Sequence, residues 1–454
     1  MLLSFGNPKL FSFSKPKVFD VLDPFLFLYF FTLHADQLNL TLHSYTIRFN
    51  NLLALFLILA LLLRFKEKLI SFDRKLVLGL LAVACSLFIS FYYSPYRSRC
   101  FYFCGWFGLT ILCYFVLPYL LLLHLNTRKI IKLYLFSFML VGLYGCAQLL
   151  FSFIGFLDPF CGQFIVMGKI VRPNAFTYEP SYYALYMTPF VIMANLHYLL
   201  RKGHDFFIFK SLNLSHLLLI NFFYFVSCST GALFAFIIFF CLLLALRIGS
   251  LKKKVLKYAS LFSLSSILLA LLLPAFSKTY FLKFFTLKFF LHHSFHERWC
   301  QIYNCFKIFI HHPLKGVGLG GVPVYLSERC VNGDPGYMFT LVQERAALSA
   351  TNPVKYFEPS NITTEIIASL GLLGILAFSY LIGYFVRSAR QALRSKNLNQ
   401  TQKHWILLFF ISTLVTLMVW QFSQGLFRIY IWTHLGLFFA FLKKETEVQN
   451  ISIE

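Results

Sequence analysis

Charge is scarce in this chain. Only 13% of its 454 residues are Asp, Glu, Lys or Arg, 59% are hydrophobic, and the mean hydropathy is +0.71. That balance excludes an ordinary soluble domain. Short segments of alternating polarity are also lacking, which excludes a β-barrel. There is no internal repeat, and the 11 cysteines show no metal-ligand spacing. What is present is a succession of apolar runs of about 20 residues, long enough to cross a bilayer as helices. In lipid each segment must satisfy its own backbone polar groups, so helices are the expected elements. The expected fold class is all-α: one polytopic membrane domain over residues 1–454, with about twelve transmembrane helices. The spans fall at roughly 21–33, 50–63, 76–93, 101–123, 133–155, 181–200, 212–228, 231–247, 256–274, 361–386, 404–423 and 426–442. Lys9, Lys15 and Lys17 precede the first span without a small-residue cleavage site, so a retained span is expected there.

The charge that exists is lopsided. Lys and Arg number 41 against 17 Asp and Glu, a net charge of +24. Such a surplus invites a nucleic-acid reading, but its placement argues against one. Basic clusters recur at every second connection: Lys9 to Lys17, Arg64 to Lys75, Arg128 to Lys132, Arg201 to Lys210, Arg247 to Lys257, Arg387 to Lys403, and Lys443 with Lys444. This is the positive-inside pattern. It predicts cytoplasmic termini and puts two connections on the outer side, a loop over 156–180 and a large one over 275–360. Cys85, Cys113, Cys146, Cys228 and Cys241 lie within spans and read as packing residues. Cys100, Cys104, Cys161, Cys300, Cys305 and Cys330 lie at or beyond the outer boundary, where a disulfide is open but no pair can be assigned.

The large loop interrupts the hydrophobic rhythm, and long loops among short ones commonly carry function. Lys278 to His293 alternates Lys with Phe and Leu and suits a helix lying in the interface. Arg298 to His311 predicts a second short helix docked against the spans, ended by His311-His312-Pro313. The glycine turn from Gly316 through Gly318 to Gly321 lacks the Lys-Ser/Thr of a phosphate-binding loop, so it reads as a close-packing turn. Residues 322–357 show no clear periodicity.

Two stretches carry cations beside carboxylates. Arg172 precedes Glu179 by seven residues, and Pro180 suits the first turn of the following helix. Arg172 could bind phosphate and Glu179 handle a proton. The bland alternative is that Glu179 is only a helix cap and Arg172 a headgroup anchor. Arg298 is the second cation, read at the head of a helix. With Arg172 and that helix end it could hold a pyrophosphate without metal. Its bland alternative is a cap salt bridge with Glu297. His292, His293 and His296 have no supporting carboxylate or cysteine arrangement, so no metal or other cofactor is expected.

Three stretches together resemble the O-antigen ligase/polymerase family of bacterial envelope enzymes. They are Arg172 to Ala184, Glu297 to Gly320 with its His-Pro-Leu and Gly-Val-Gly pattern, and Ser360 to Gly374. The resemblance implies transfer of a glycan from undecaprenyl pyrophosphate to an acceptor sugar hydroxyl, at the periplasmic face of the bacterial inner membrane. The acceptor would be lipid A-core in a ligase or another lipid-linked unit in a polymerase, and membrane lipid would surround the enzyme. On this resemblance Arg172 and Arg298 would bind the pyrophosphate, with Asn361, His312, Gly316 and Gly318 as supporting motif residues. The chain departs from the family where His-Asn is usual, because Ser360 precedes Asn361. A serine hydroxyl is no general base at neutral pH without an activator. Glu358 or Glu179 is then the candidate base, with His311 or His312 as further alternatives whose His-Pro context resembles a structural turn, and polymerase is favoured over ligase.

A transporter or flippase is the rival reading. Transporters bury ionisable residues near mid-membrane. The spans here are nearly free of them, although Gln148, Asn195 and Gln421 leave room. A metal-dependent polyprenyl glycosyltransferase would need paired acids in the first outer loop, which offers Asp36 alone. A non-catalytic assembly protein is the third.

Overall fold

The computed structural model describes residues 22–42, 45–65, 72–156, 158–161, 164–166, 170–200, 212–227, 229–245, 293–349, 353–422 and 426–451. The architecture is all-α, apart from two short antiparallel hairpins. The first part comprises α1 (Asp23–Phe31), a hairpin of β1 (Asn39–Leu42) and β2 (Tyr45–Arg48), α2 (Phe49–Phe65), α3 (Arg74–Tyr93), α4 (Arg97–His124) and α5 (Thr127–Phe153). A second hairpin of β3 (Phe164–Val166) and β4 (Ile170–Val171) leads to α6 (Pro180–Leu200), α7 (Leu214–Phe225) and α8 (Thr230–Ala245). Then come α9 (His293–His311), α10 (Val322–Val331), α11 (Leu341–Ser349), α12 (Ile362–Arg394), α13 (Gln400–Val419) and α14 (Ile429–Ile451).

Among the described residues five helices are long and apolar enough to cross a membrane: α3, α4, α5, α12 and α13. The helices at the expected spans 21–33, 50–63 and 212–228 are shorter, at 9, 17 and 12 residues. About 20 residues are needed to cross the hydrocarbon, so length does not bear out twelve spans. The expected span at 256–274 and the interface helix from Lys278 lie outside the described residues. Several apolar side chains point outward, with Leu63 66%, Phe88 65% and Phe101 71% exposed. A soluble surface would not display such a belt on long apolar helices; a lipid-facing surface does.

At the centre is α6, buried at nearly every position and packed by α7, α8 and α13. A helix apolar all round belongs in such a place. Its buried hydroxyls find partners: Thr188 Oγ1 donates to the Ala184 carbonyl at 2.8 Å, and Tyr183 donates to the Phe223 carbonyl at 2.7 Å. The last helix locks onto α4 through Lys444, whose Nζ donates to the Leu122 and Leu125 carbonyls at 3.0 and 2.7 Å. Those are the carbonyls a helix C-terminus leaves unpaired.

The glycine turn is a structural wedge. Inside α12 the backbone leaves helical geometry at Gly371, with φ 63° and ψ −153°. The break frees carbonyls of the preceding turn. Val317 N–H donates to Ala368 O at 3.0 Å, Gly318 N–H to Ser369 O at 2.9 Å, and Leu372 N–H to Pro313 O at 2.8 Å. A Cβ on Gly316 would stand 2.3 Å from the Ser369 carbonyl carbon. The turn therefore packs on the helix bundle as its composition suggested; Gly316 is kept by close backbone approach, and Gly318 by the Cys100 and Ser94 side chains, which a Cβ would meet at 2.3 and 2.7 Å.

Candidate functional site

Six separate segments converge at one end of the bundle. The β1–β2 hairpin is stitched to the loop before α6. Gln37 Nε2 donates to the Phe160 and Thr177 carbonyls at 3.0 and 2.9 Å. Gln148, weighed as an intramembrane polar residue, supports the same loop. Its Oε1 accepts from Ala175 N–H at 2.8 Å, where Ala175 has a φ of 49°. The segment before α12 is tied to the end of α13. Asn361 caps α12 by accepting from Thr364 N–H at 2.9 Å, while its Nδ2 donates to Gln421 O at 2.8 Å. That makes Asn361 a cap and a tether, a common use of asparagine at a helix start.

The centre of the cluster is Asp36, almost fully buried between two arginines. Its carboxylate lies 3.0 Å from Arg48 and 3.7 Å from Arg428, and Tyr430 donates its hydroxyl to it at 3.0 Å. Arg428 then faces Tyr182, with the guanidinium carbon 3.3 Å from the ring centre. A cation held over an aromatic face is stabilised by the ring quadrupole. Glu358 comes next, under the charge of Arg428 and of Arg99. Arg99 is anchored by donating Nε–H to Gly320 O at 2.6 Å. Glu179 acts electrostatically on both Tyr182 and Arg298, and Tyr182 on Arg298. Arg99, Glu358, Arg428, Glu179 and Arg298 thus form a charged group around the Tyr182 ring, linked by their mutual electrostatic influence.

The environment sets the acid–base character. The surrounding protein raises the Glu358 carboxyl above its ordinary value by desolvation, while Arg428 and Arg99 oppose the rise. Glu358 nevertheless keeps solvent access. Burial pulls the Arg298 guanidinium below its usual value, and Glu179 and Glu297 pull it back. Glu179 is exposed and accepts from Ser181 Oγ at 2.9 Å.

The sequence-derived candidates divide accordingly. Glu179, Arg298 and Glu358 come together. Arg298 is not at a helix head, since α9 begins at His293 and continues through it. Its electrostatic partners are Glu179, Glu297 and Tyr182, and not the free N–H groups of a helix end. Arg172 donates Nε–H to Ser227 O at 3.0 Å, against the end of α7. Ser360 is buried, and its Oγ has no hydrogen-bond partner among the described residues. His312 is half-buried, edge-on to Tyr325, and its ring is held below its ordinary pKa by burial, His311, Lys315 and Arg329. Its carbonyl accepts from Gly316 N–H at 3.0 Å, a turn-forming role. All described cysteines are free.

Sequence reasoning missed Asp36, Arg48, Arg99 and Arg428 as a group. Each lies in a short connection or first helical turn, outside the basic clusters and the motifs the sequence offered. It also missed Glu365, buried in the first turn of α12 and accepting from Leu426 N–H at 3.3 Å. Residues 322–357, which showed no periodicity, form α10, α11 and a 3-10 turn at Pro353–Phe357. Among the described residues no three His, Cys, Asp or Glu side chains converge as metal ligands.

Residues 215–379 match the family model described as O-Antigen ligase. Over that segment the chain is similar to the O-antigen ligase/polymerase family, which supports the resemblance read from its motifs. The match covers a little over a third of the chain, from α7 through most of α12. No curated protein matches the chain. With the long apolar helices, the match points to a membrane protein similar to O-antigen ligases. The matched segment carries Arg298, the glycine turn, Glu358 and Asn361. Asp36, Arg99, Glu179, Tyr182 and Arg428 come from outside it, so the site is assembled from both parts.

Proposed function

We propose that this protein is a metal-independent glycosyltransferase of the bacterial inner membrane, with the charged group facing the periplasm. The donor is a glycan on undecaprenyl pyrophosphate. The acceptor is a sugar hydroxyl, and polymerisation of surface polysaccharide is favoured over ligation to lipid A-core because Ser360 stands where a ligase histidine is usual. The observation that carries this reading is the convergence of Arg298, Glu179, Arg428 and Glu358 at one end of the bundle, joined to the family match.

In the proposed reaction the acceptor hydroxyl gives its proton to Glu358 as its oxygen bonds to the anomeric carbon. The bond from that carbon to the pyrophosphate oxygen breaks, and undecaprenyl pyrophosphate leaves with the electron pair. A carboxylate whose pKa is raised is a better base near neutral pH. Arg298, with Arg172 as a second phosphate contact, offsets the charge on the leaving group. Glu179 holds Arg298 in place and is the alternative base.

Gel analysis of surface glycan from a deletion strain tests the assignment. Core bearing a single repeat indicates a lost polymerase, and bare core with accumulated lipid-linked polymer indicates a lost ligase. Normal ladders in the deletion strain would sink both. A flippase would instead leave lipid-linked units on the cytoplasmic side.

A further inference from the structure

Helix α9 exposes its apolar face and buries polar side chains. Trp299, Tyr303, Phe306 and Ile310 recur at steps of four, three and four residues, so they share one face. That face points outward. Trp299 is 56%, Phe306 47% and Ile310 67% exposed, and the exposed Leu314 continues the stripe beyond the helix end. The opposite face is buried and includes Gln301 and Asn304. Asn304 fixes this orientation. Its Nδ2 donates to Met338 O at 2.7 Å, and its Oδ1 accepts from Met338 N–H at 2.9 Å. A helix with water on its outer side shows the reverse polarity.

The stripe runs into the outward-pointing apolar belt. The turn after α9 meets the end of α3 opposite its basic start, where Ser94 Oγ donates to Val317 O at 2.6 Å. Lys315 Nζ lies 3.9 Å from the centre of the Tyr93 ring. Tyr92 and Tyr93 are both exposed, about one turn beyond Phe88 of the belt. Cations accompany aromatic rings along this line: Arg97 lies over Tyr92 at 5.8 Å, and Lys307 over Tyr303 at 5.9 Å. Tyrosine and tryptophan beside snorkelling Lys or Arg mark the level of lipid headgroups. The charge along the stripe has one sign, because no acidic residue lies between Glu297 and Glu328. A second copy of the same face would bring cations against cations. The complementary partner is apolar with an anionic edge.

We propose that the α9 stripe is immersed in the outward-facing leaflet of the bilayer, with anionic glycerophospholipid as its partner. Acyl chains cover Trp299, Phe306, Ile310 and Leu314, and the lipid phosphates lie by Arg97, Lys307 and Lys315. An interfacial amphipathic helix sinks its apolar face about 5–10 Å into the boundary between headgroups and chains. Helix α9 then belongs to the membrane surface, although it falls in the long polar connection. Arg298, directly before Trp299, is thereby held near the level of the phosphates. The inference rests on the membrane reading of the chain and not on the transfer reaction.

The test uses the full-length protein in vesicles of phosphatidylethanolamine and phosphatidylglycerol. The photoreactive p-benzoylphenylalanine replaces Phe306, Ile310 or, as the comparison, the exposed Asn332 beyond α10. After irradiation the adducts are identified by mass. Phospholipid adducts are expected at Phe306 and Ile310 and not at Asn332, with phosphatidylglycerol over-represented relative to the vesicle. The Arg97→Gln/Lys307→Gln/Lys315→Gln variant should keep the adducts and lose the phosphatidylglycerol preference, about fivefold for each cation at the surface. Adducts to protein, within the chain or to a second copy, overturn the proposal. Labelling at Phe306 and Ile310 no stronger than at Asn332 does the same. Phospholipid adducts without a phosphatidylglycerol preference overturn the role of the three cations. The adducts form without glycan transfer, so this result and that of the gel test stand apart.

Discussion

The guanidinium of Arg428 lies 3.3 Å from the centre of the Tyr182 ring, although 246 positions separate them in sequence. The contact joins the start of the central helix to the segment before the last one. Asp36 holds the far side of the same guanidinium at 3.7 Å. We expect Arg428→Ala to lower glycan transfer about 10²-fold, the scale for losing one preorganised charge donor. Arg428→Lys should recover only part of this, because an ammonium is a point charge without the flat face that stacks on Tyr182. In vitro transfer from a lipid-linked donor measures both. Wild-type rates in the alanine variant would remove Arg428 from the site.

Asp36 supplies the negative charge shared by Arg48 and Arg428. Asp36→Ala would leave two arginines with side chains only 13% and 14% exposed without that counter-charge. Breaking a buried pair from one side costs about 3–5 kcal/mol. Thermal unfolding in detergent should show a clear loss of stability, larger than for Glu179→Ala at an exposed position of the charged group.

Transfer should depend on pH through Glu358. Desolvation raises its carboxyl, so the ionised base is lost as pH falls through a value above the ordinary carboxylate range. Arg428 and Arg99 favour the ionised form. Arg428→Gln removes one of them and should move the acid limb of the rate profile to higher pH. Glu358→Gln should abolish that limb and reduce the rate by about 10²–10⁴-fold. An acid limb that persists unchanged in Glu358→Gln would assign the base elsewhere.

Ser360 occupies the position expected to hold the base, yet its hydroxyl is buried without a partner. Removing such a group is close to neutral. Ser360→Ala should therefore keep transfer within about twofold. A large loss of activity with normal folding would restore the serine to the chemistry.

Gly316→Ala and Gly371→Ala should damage folding more than any substitution in the charged group. Both positions have a φ of 63°, and an added Cβ would meet backbone atoms at 2.3 and 2.6 Å respectively. The left-handed conformation alone costs a non-glycine residue about 1–2 kcal/mol. Limited proteolysis in membranes would report the opened wedge.

Hydropathy and charge rhythm were enough to give an all-α membrane chain, because lipid leaves a segment few ways to satisfy its backbone. Local signals also placed the helix from Arg298 to His311, its His-Pro stop and the packing use of the glycine turn, since caps and breakers act within a few residues. Arg298, Glu179 and Glu358 could be singled out as charged groups in apolar company. Which of them meet could not. Asp36, Arg48, Arg99 and Arg428 each look like isolated charges along the chain, outside its basic clusters. Only packing brings Asp36 between its two arginines and Arg428 over Tyr182. Burial then makes their charges matter, because desolvated groups must find partners or shift their protonation.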